Sequence, residues 1–189
     1  MIKEILMRNP ILTIEYLEEN KNEIFSIIPE LKDEEGFDQK SAWHIYDVWT
    51  HTEVALTNSN QDFEERLALL LHDIGKPHCY QDDGDIRHFK GHAQKSAEIS
   101  RGILKRLLND AEQINRIIYL IENHSSIIDI NKVNQNNIEL IKKLLDIQYC
   151  DTRAYNPEKI EPALKRLDGI RESLKDFSKK AEKNDNEER

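Results

Sequence analysis

With 189 residues, of which 38% are hydrophobic and 33% charged, the chain has the composition of one soluble globular domain, not of a disordered or fibrous polymer. No apolar run approaches the ~20 residues of a membrane span and no signal peptide is legible, so a cytoplasmic protein with no membrane partner is expected. Cys79 and Cys150 are too few for a disulfide framework, and a net charge of −9 argues against bulk nucleic-acid binding.

In chain order, Met1 to Glu4 enter directly into a helical pattern. Asn9-Pro10 reads as cap and first turn of a helix through about Asn20, followed by a second over about Lys21 to Ile28. Pro29 to Ser41 reads as a loop. Asp47 can cap a helix through Leu56, and Asp62 one that reaches Ile74, where Gly75 and Pro77 stop it. The turn signal Gln81 to Asp85, between Cys79-Tyr80 and Ile86 to Phe89, predicts a small β-hairpin. Helices follow over His92 to Leu108, Asp110 to Asn123 and Asn137 to Tyr155. Pro157 begins a last one, whose Ile160, Leu164, Leu167, Ile170, Leu174 and Phe177 should pack on the bundle. Lys179 to Arg189 reads as a charged, frayed tail. The fold class is all-α, a helical bundle with its strands confined to a hairpin around residues 79–90.

The informative chemistry lies mid-chain. His72 and Asp73 stand side by side in Leu-Leu-Leu-His-Asp-Ile-Gly-Lys (Leu69 to Lys76), delivered inward by an apolar run. Neighbours on a helix point about 100° apart, so the pair can grip one ion from adjacent directions, as imidazole nitrogen and carboxylate oxygen. Buried ionisable groups are costly unless paired or metal-bound. At the 3.6-residue period, His51 shares a face with Val48, Thr52 and Ala55. His72-Asp73 share one with Ala68, Leu69 and Lys76. His92 goes with Ser96, Ile99 and Ile103, His124 with Ile117, Leu120 and Ile121, and Asp151 with Leu144, Ile147 and Tyr155. Each alone reads as a hydrogen-bonded core residue; together they read as one metal centre. His44 and His78 show no inward stripe and are taken as structural. Lys76, Arg87 and Lys90 lie near these histidines in sequence and could attract an anionic substrate.

The order His51, His72-Asp73, His92, His124, Asp151 resembles the HD superfamily of metal-dependent phosphohydrolases, over roughly Ile27 to Tyr155. The likeness is strongest to the HD domain that follows the catalytic head of bacterial tRNA nucleotidyltransferases and poly(A) polymerases. It is carried by Ile27-Ile-Pro-Glu-Leu31, His44-Ile-Tyr-Asp-Val-Trp-Thr-His51, the His-Asp-Ile-Gly-Lys-Pro run ending at Pro77, and His88-Phe-Lys-Gly-His92. No Gly-rich strand with a paired-carboxylate motif is present, so a stand-alone relative that does not transfer nucleotides is expected. It would be a single HD domain over 1–180 with a flexible tail over 181–189.

The resemblance implies that His51, His72, Asp73 and Asp151 hold one divalent metal, and that His92 and His124, with Asp73 bridging, hold a second. Mixed imidazole and carboxylate ligands suit Fe, Mn, Ni, Co or Zn better than Mg. Asp73, Lys76 and His88 would be the catalytic residues, Lys76 as a point charge on the phosphate and His88 as a phosphate contact or leaving-group acid. The activity implied is hydrolysis of a nucleotide or similar phosphorylated small molecule. A diadenosine polyphosphate hydrolase, or a non-catalytic metal- and nucleotide-binding regulatory module, is the alternative.

Overall fold

The computed structural model describes residues 1–187, with side chains described through 178. Helices α1 (Ile2–Met7), α2 (Ile14–Ile27), α3 (Val48–Thr57), α4 (Phe63–Leu71), α5 (His92–Leu107), α6 (Ala111–Asn123), α7 (Ile138–Arg153) and α8 (Glu161–Glu187) form the bundle. The strands β1 (Gln81–Asp82) and β2 (Arg87–His88) form its one antiparallel hairpin among the described residues. The all-α fold with a small hairpin is as the sequence predicts. No helix among the described residues is long and apolar enough to cross a membrane.

The centre of the bundle is α4. All nine of its residues are buried, and it packs on α1, α3, α6 and α7. An apolar run of this kind can lie only inside, and its three charged residues survive there because each has a hydrogen-bond partner, Glu65 accepting from the Asn60 amide (3.4 Å). Glu64 accepts from Arg116 (2.7 Å) and lies 3.3 Å from the Lys143 ammonium. Arg66 has no carboxylate partner; its guanidinium donates instead to the carbonyls of Leu6 (2.5 Å), Asn9 (2.9 Å), Pro10 (2.6 Å) and Asn60 (2.8 Å).

That demand explains the first departure from the sequence reading. Asn9-Pro10 does not start a helix, because Arg66 claims the carbonyls of this stretch. Helix α2 begins at Ile14, capped by Thr13, whose hydroxyl accepts from Tyr16 N–H (3.2 Å). It also runs unbroken through the boundary expected at Lys21, where no Gly or Pro interrupts it. The loop expected from Pro29 opens as a 3₁₀ turn over Pro29–Glu34.

Asp47 and Asp62 cap α3 and α4 as expected, and Asp110 caps α6. The last helix begins at Glu161 and not at Pro157, because Asn156 turns aside to bond Trp43 O (2.8 Å) and Ala42 O (3.3 Å). Its stripe packs on α7, with Leu167, Ile170 and Leu174 buried. The backbone of α8 stays helical to Glu187, across the stretch from Lys179 expected to fray; 188 and 189 lie outside the described residues.

Candidate metal centre

Helix α4 ends at Leu71, so His72 and Asp73 occupy the turn that follows it. The turn is tight because Gly75 presses on the first turn of α5: a Cβ at that position would lie 2.5 Å from Ser96 N and 2.7 Å from His92 O. Gly75 N–H donates to Ser96 Oγ (2.9 Å), which locks the two segments together. Gly91, at φ +81, turns the chain into α5 with His92 as its first residue. Gly75 does more than stop a helix: it sets the His-Asp turn against His92.

Six side chains from five segments converge here. His51 (α3), His72 and Asp151 (α7) form one group, and Asp73, His92 and His124 (following α6) another, with ligand atoms mutually within 4.8 Å in each group. All are buried except His92, whose side chain is 20% exposed. Asp73 lies between them. Its Oδ2 is 3.3 Å from His72 Nε2 and 3.6 Å from His51 Nε2, while its Oδ1 is 3.6 Å from His92 Nε2 and 3.7 Å from His124 Nε2.

The four imidazoles share one orientation. Nδ1 of His72, His92 and His124 lies 2.6, 2.9 and 2.7 Å from the carbonyl three residues earlier, and His51 Nδ1 lies 3.3 Å from Ala154 O. A carbonyl only accepts, so each Nδ1 carries a proton and each ring turns its Nε2 inward. This is how backbone partners orient metal-binding histidines. His92 Nε2 and His124 Nε2 stand 3.1 Å apart. Two neutral rings so placed oppose lone pairs and need a cation between or beside them.

The surrounding charges agree. Among the described residues, His72 Nε2 and both Asp73 oxygens are buried without an aligned hydrogen bond. Burial opposes ionisation of Asp73, yet His72 and Lys76 outweigh it and hold the carboxyl well below its ordinary range. Burial likewise opposes charge on Asp151, but the hydrogen bond with His51 and the nearby charge of His72 hold its carboxyl well below the ordinary range. Burial also opposes a proton on His72, and Asp73 and Asp151 overcome it, raising its pKa well above the ordinary value. By contrast, burial lowers His92 and pushes His124 down to about 4. Soft imidazole nitrogens with carboxylate oxygens form a donor set that fits a divalent transition metal.

Lys76 is buried, with its ammonium 2.6 Å from Asp73 Oδ2 and donating to Gln39 Oε1 (2.7 Å). The Asp73 contact is a charge pair without hydrogen-bond alignment. Lys76 therefore does not cap α4; it is a fixed counter-charge inside the centre. His88 is not brought in. Its Nε2 lies 3.2 Å from Asp83 Oδ2 on the hairpin, and both side chains are well exposed.

Several contributors lie outside the sequence reading. Tyr155 O–H donates to Asp151 Oδ2 (3.0 Å). His44, read as structural, sets its ring edge-on to His51 (centroids 5.2 Å) and Tyr155 (4.6 Å), and burial pushes its pKa down to about 3. Glu34 is fully buried, 3.4 Å from the Thr52 hydroxyl, and burial with the nearby Asp73 charge holds it well above the carboxylate range. Gln39 and Glu34 sit in a stretch where one acid or amide looks like the next, so only Tyr155, on the Asp151 stripe, gave a signal.

A family model described as HD domain matches residues 43–176. The chain belongs to the HD domain family. Membership places it in a superfamily of metal-dependent phosphohydrolases. This HD domain is similar to the A-adding tRNA nucleotidyltransferase of Deinococcus radiodurans, 30% identical over 139 residues, covering 67% of the chain and 32% of the relative. It is also similar to the CC-adding tRNA nucleotidyltransferase of Thermus thermophilus, 34% identical over 104 residues, covering 51% of the chain and 24% of the relative. The chain thus spans a third or less of the length of these curated relatives. No solved structure gives a significant match.

Proposed function

We propose that this HD domain is a metal-dependent phosphohydrolase acting on a nucleotide or similar phosphorylated small molecule. The observation that carries the reading is the divided carboxylate of Asp73, one oxygen toward His51 and His72 and the other toward His92 and His124. His51, His72, Asp73 and Asp151 would hold one divalent ion, and Asp73, His92 and His124 a second, from among Fe, Mn, Ni, Co and Zn. When bound, such ions supply Lewis acidity, lowering the pKa of a water and neutralising phosphoryl oxygens.

The chain's own groups do the rest. Backbone carbonyls fix four ring orientations before any substrate arrives, so little reorganisation is needed at reaction. Asp73 and Asp151 oppose the single ammonium of Lys76, and one divalent ion already turns that balance positive, which favours an anionic ligand. Lys76 is placed to offer a point charge to a phosphate oxygen that approaches Asp73. His88 has no part in this scheme.

The test is metal analysis of the purified chain, then a screen of phosphorylated nucleotides and sugars with each divalent metal. One or two transition-metal ions per chain and metal-restored phosphate release are expected. A chain that takes up no transition metal, or takes it up and releases phosphate from nothing, overturns the reading.

A further inference from the structure

Residues 36–47 form a loop that the structure pins down on every side. Val48 N–H donates to Phe37 O (3.2 Å), Gly36 N–H to Asp47 Oδ2 (2.9 Å), and Gln39 Nε2 to Tyr46 O (3.1 Å), which together close its base. Lys40 ties it to the hairpin through Asp82 Oδ2 (2.9 Å) and Gly84 O (3.1 Å). At the tip, Asn156 N–H and side-chain amide hold Trp43 O and Ala42 O against the α7–α8 connection. Yet the Trp43 side chain on this fixed backbone stays open, at 52% exposure, while the other tryptophan, Trp49, is buried at 1%.

A single exposed aromatic is ordinary on a protein surface. Trp43 differs in where it is held. The next residue is His44, whose ring touches both the ligand His51 and Tyr155. The Lys159 ammonium lies over the indole, 5.4 Å from the ring centroid. An electron-rich ring with a cation on it, one residue from a side chain that touches the metal centre, suits a flat, π-bearing group tethered to an anion. We propose that Trp43, with Lys159, is the subsite that holds the base of a nucleotide whose phosphate lies at the metal centre. This rests on the phosphohydrolase reading and narrows it: base-bearing phosphates are preferred over sugar phosphates because a ribose phosphate alone leaves the indole uncovered. Stacking is tolerant of base identity, so the subsite selects a nucleobase without choosing among the four.

The test uses the full chain carrying its metal. Binding of adenosine 5′-monophosphate and of ribose 5-phosphate is measured by titration calorimetry in the cold, with phosphate release followed in parallel. The nucleotide should bind more tightly than the sugar phosphate and should quench the exposed Trp43 emission but not that of Trp49. Trp43→Ala should weaken nucleotide binding roughly 5- to 150-fold, the range for loss of one stacked base, and leave ribose 5-phosphate unchanged. Trp43→Phe keeps a ring and should retain most of the affinity, and its remaining Trp49 emission reports whether the core is intact. Equal binding of the two ligands by the wild type, or an equal loss of both in Trp43→Ala, overturns the base subsite while the phosphate centre stands. Binding of neither ligand by the metal-loaded wild type overturns both. Retained nucleotide affinity in Trp43→Ala, or full loss in a folded Trp43→Phe, overturns the stacking role.

Discussion

The two halves of the centre are built differently. Around His51, His72 and Asp151 both oxygens of the carboxylate are already paired: His51 Nε2 lies 2.9 Å from Asp151 Oδ1, and Tyr155 holds the other oxygen. Every member is shut from solvent. Around His92 and His124 two imidazoles face each other at 3.1 Å, with Asp73 as the one carboxylate, and His92 is open to water. The first half can satisfy itself with a proton, as the raised pKa of His72 shows. The second cannot, because burial keeps its rings neutral. One half is thus a buried network and the other a partly open mouth whose facing imidazoles suit a cation.

Asp73 joins the halves, and its loss should have the largest effect. Asp73→Asn keeps the shape but removes the charge and one bridging acceptor. It should abolish metal binding in both halves, and adding His72→Ala should leave none to detect. Metal content by elemental analysis checks this, with circular dichroism confirming the fold. Stoichiometric metal in the double variant would remove the assignment.

Lys76→Met comes next. The methionine fills the same buried volume without the charge that balances Asp73. Metal content should be retained or rise, because a competing cation is gone. Hydrolysis of any phosphoester substrate should fall by ~10²-fold, the usual scale for one electrostatic contact. Steady-state rates beside metal content decide it, and an undiminished rate shows that Lys76 only balances Asp73.

His92→Ala and His124→Ala test the asymmetry itself. Each should lower occupancy of the mouth more than that of the inner half, where His51, His72 and Asp151 remain. Calorimetric titration should then show one site weakened and one near its original affinity. If either change empties both equally in a folded protein, the halves are one coupled centre.

This division was only partly legible in the sequence. Helical periodicity pointed to all six candidate ligands, because each rides an apolar stripe whose other members must be buried, as Val48, Ala68, Ile117 and Leu144 are. The hairpin and the Asp caps were readable from local chemistry. What periodicity cannot show is which ring nitrogen faces inward or where one loop crosses another. His44, Gln39 and Glu34 enter the site through the fold of residues 29–47, a stretch with no repeat to read. The role of Gly75 depends on the backbone of α5, 21 residues away at Ser96. Arg66 lay within an apolar run and gave no hint that it would reorganise the start of α2. His88 was drawn in by its place beside His92, but the hairpin turns it toward Asp83.

The smallest effect separates the halves by pH in protein stripped of metal. His92 and His124 have folded pKa values below the ordinary imidazole value of about 6.5, so the unfolded chain binds more protons at acid pH. Stability from this half therefore rises with pH up to about 6.5. The ionised Asp73 and Asp151 add to the same limb at lower pH, since their depressed values make protonation destabilising. His72 works in the opposite direction. Its folded pKa is raised, so its contribution is fully present below about 6.5 and is lost as pH climbs through the folded value. Glu53, raised to about 8 by burial and by Glu18, and Glu65, raised to about 7 by burial and by Asp62, hold protons in the folded state from their ordinary value of 4.5 upward, so their contribution falls across the window in which the mouth imidazoles gain theirs and goes on falling on the alkaline side. Chelated protein should therefore show a broad maximum between about pH 4.5 and 6.5 and weaken on both sides of it, as denaturant midpoints across pH would show. Removing both mouth imidazoles should shift that maximum toward pH 4.5 and spare the loss above pH 6.5, while His72→Gln should flatten the loss above pH 6.5. Restoring metal, which requires a neutral His72, should flatten the alkaline limb in the wild type. An alkaline limb of the same slope with and without metal would mean that the proton on His72 is not what the metal replaces.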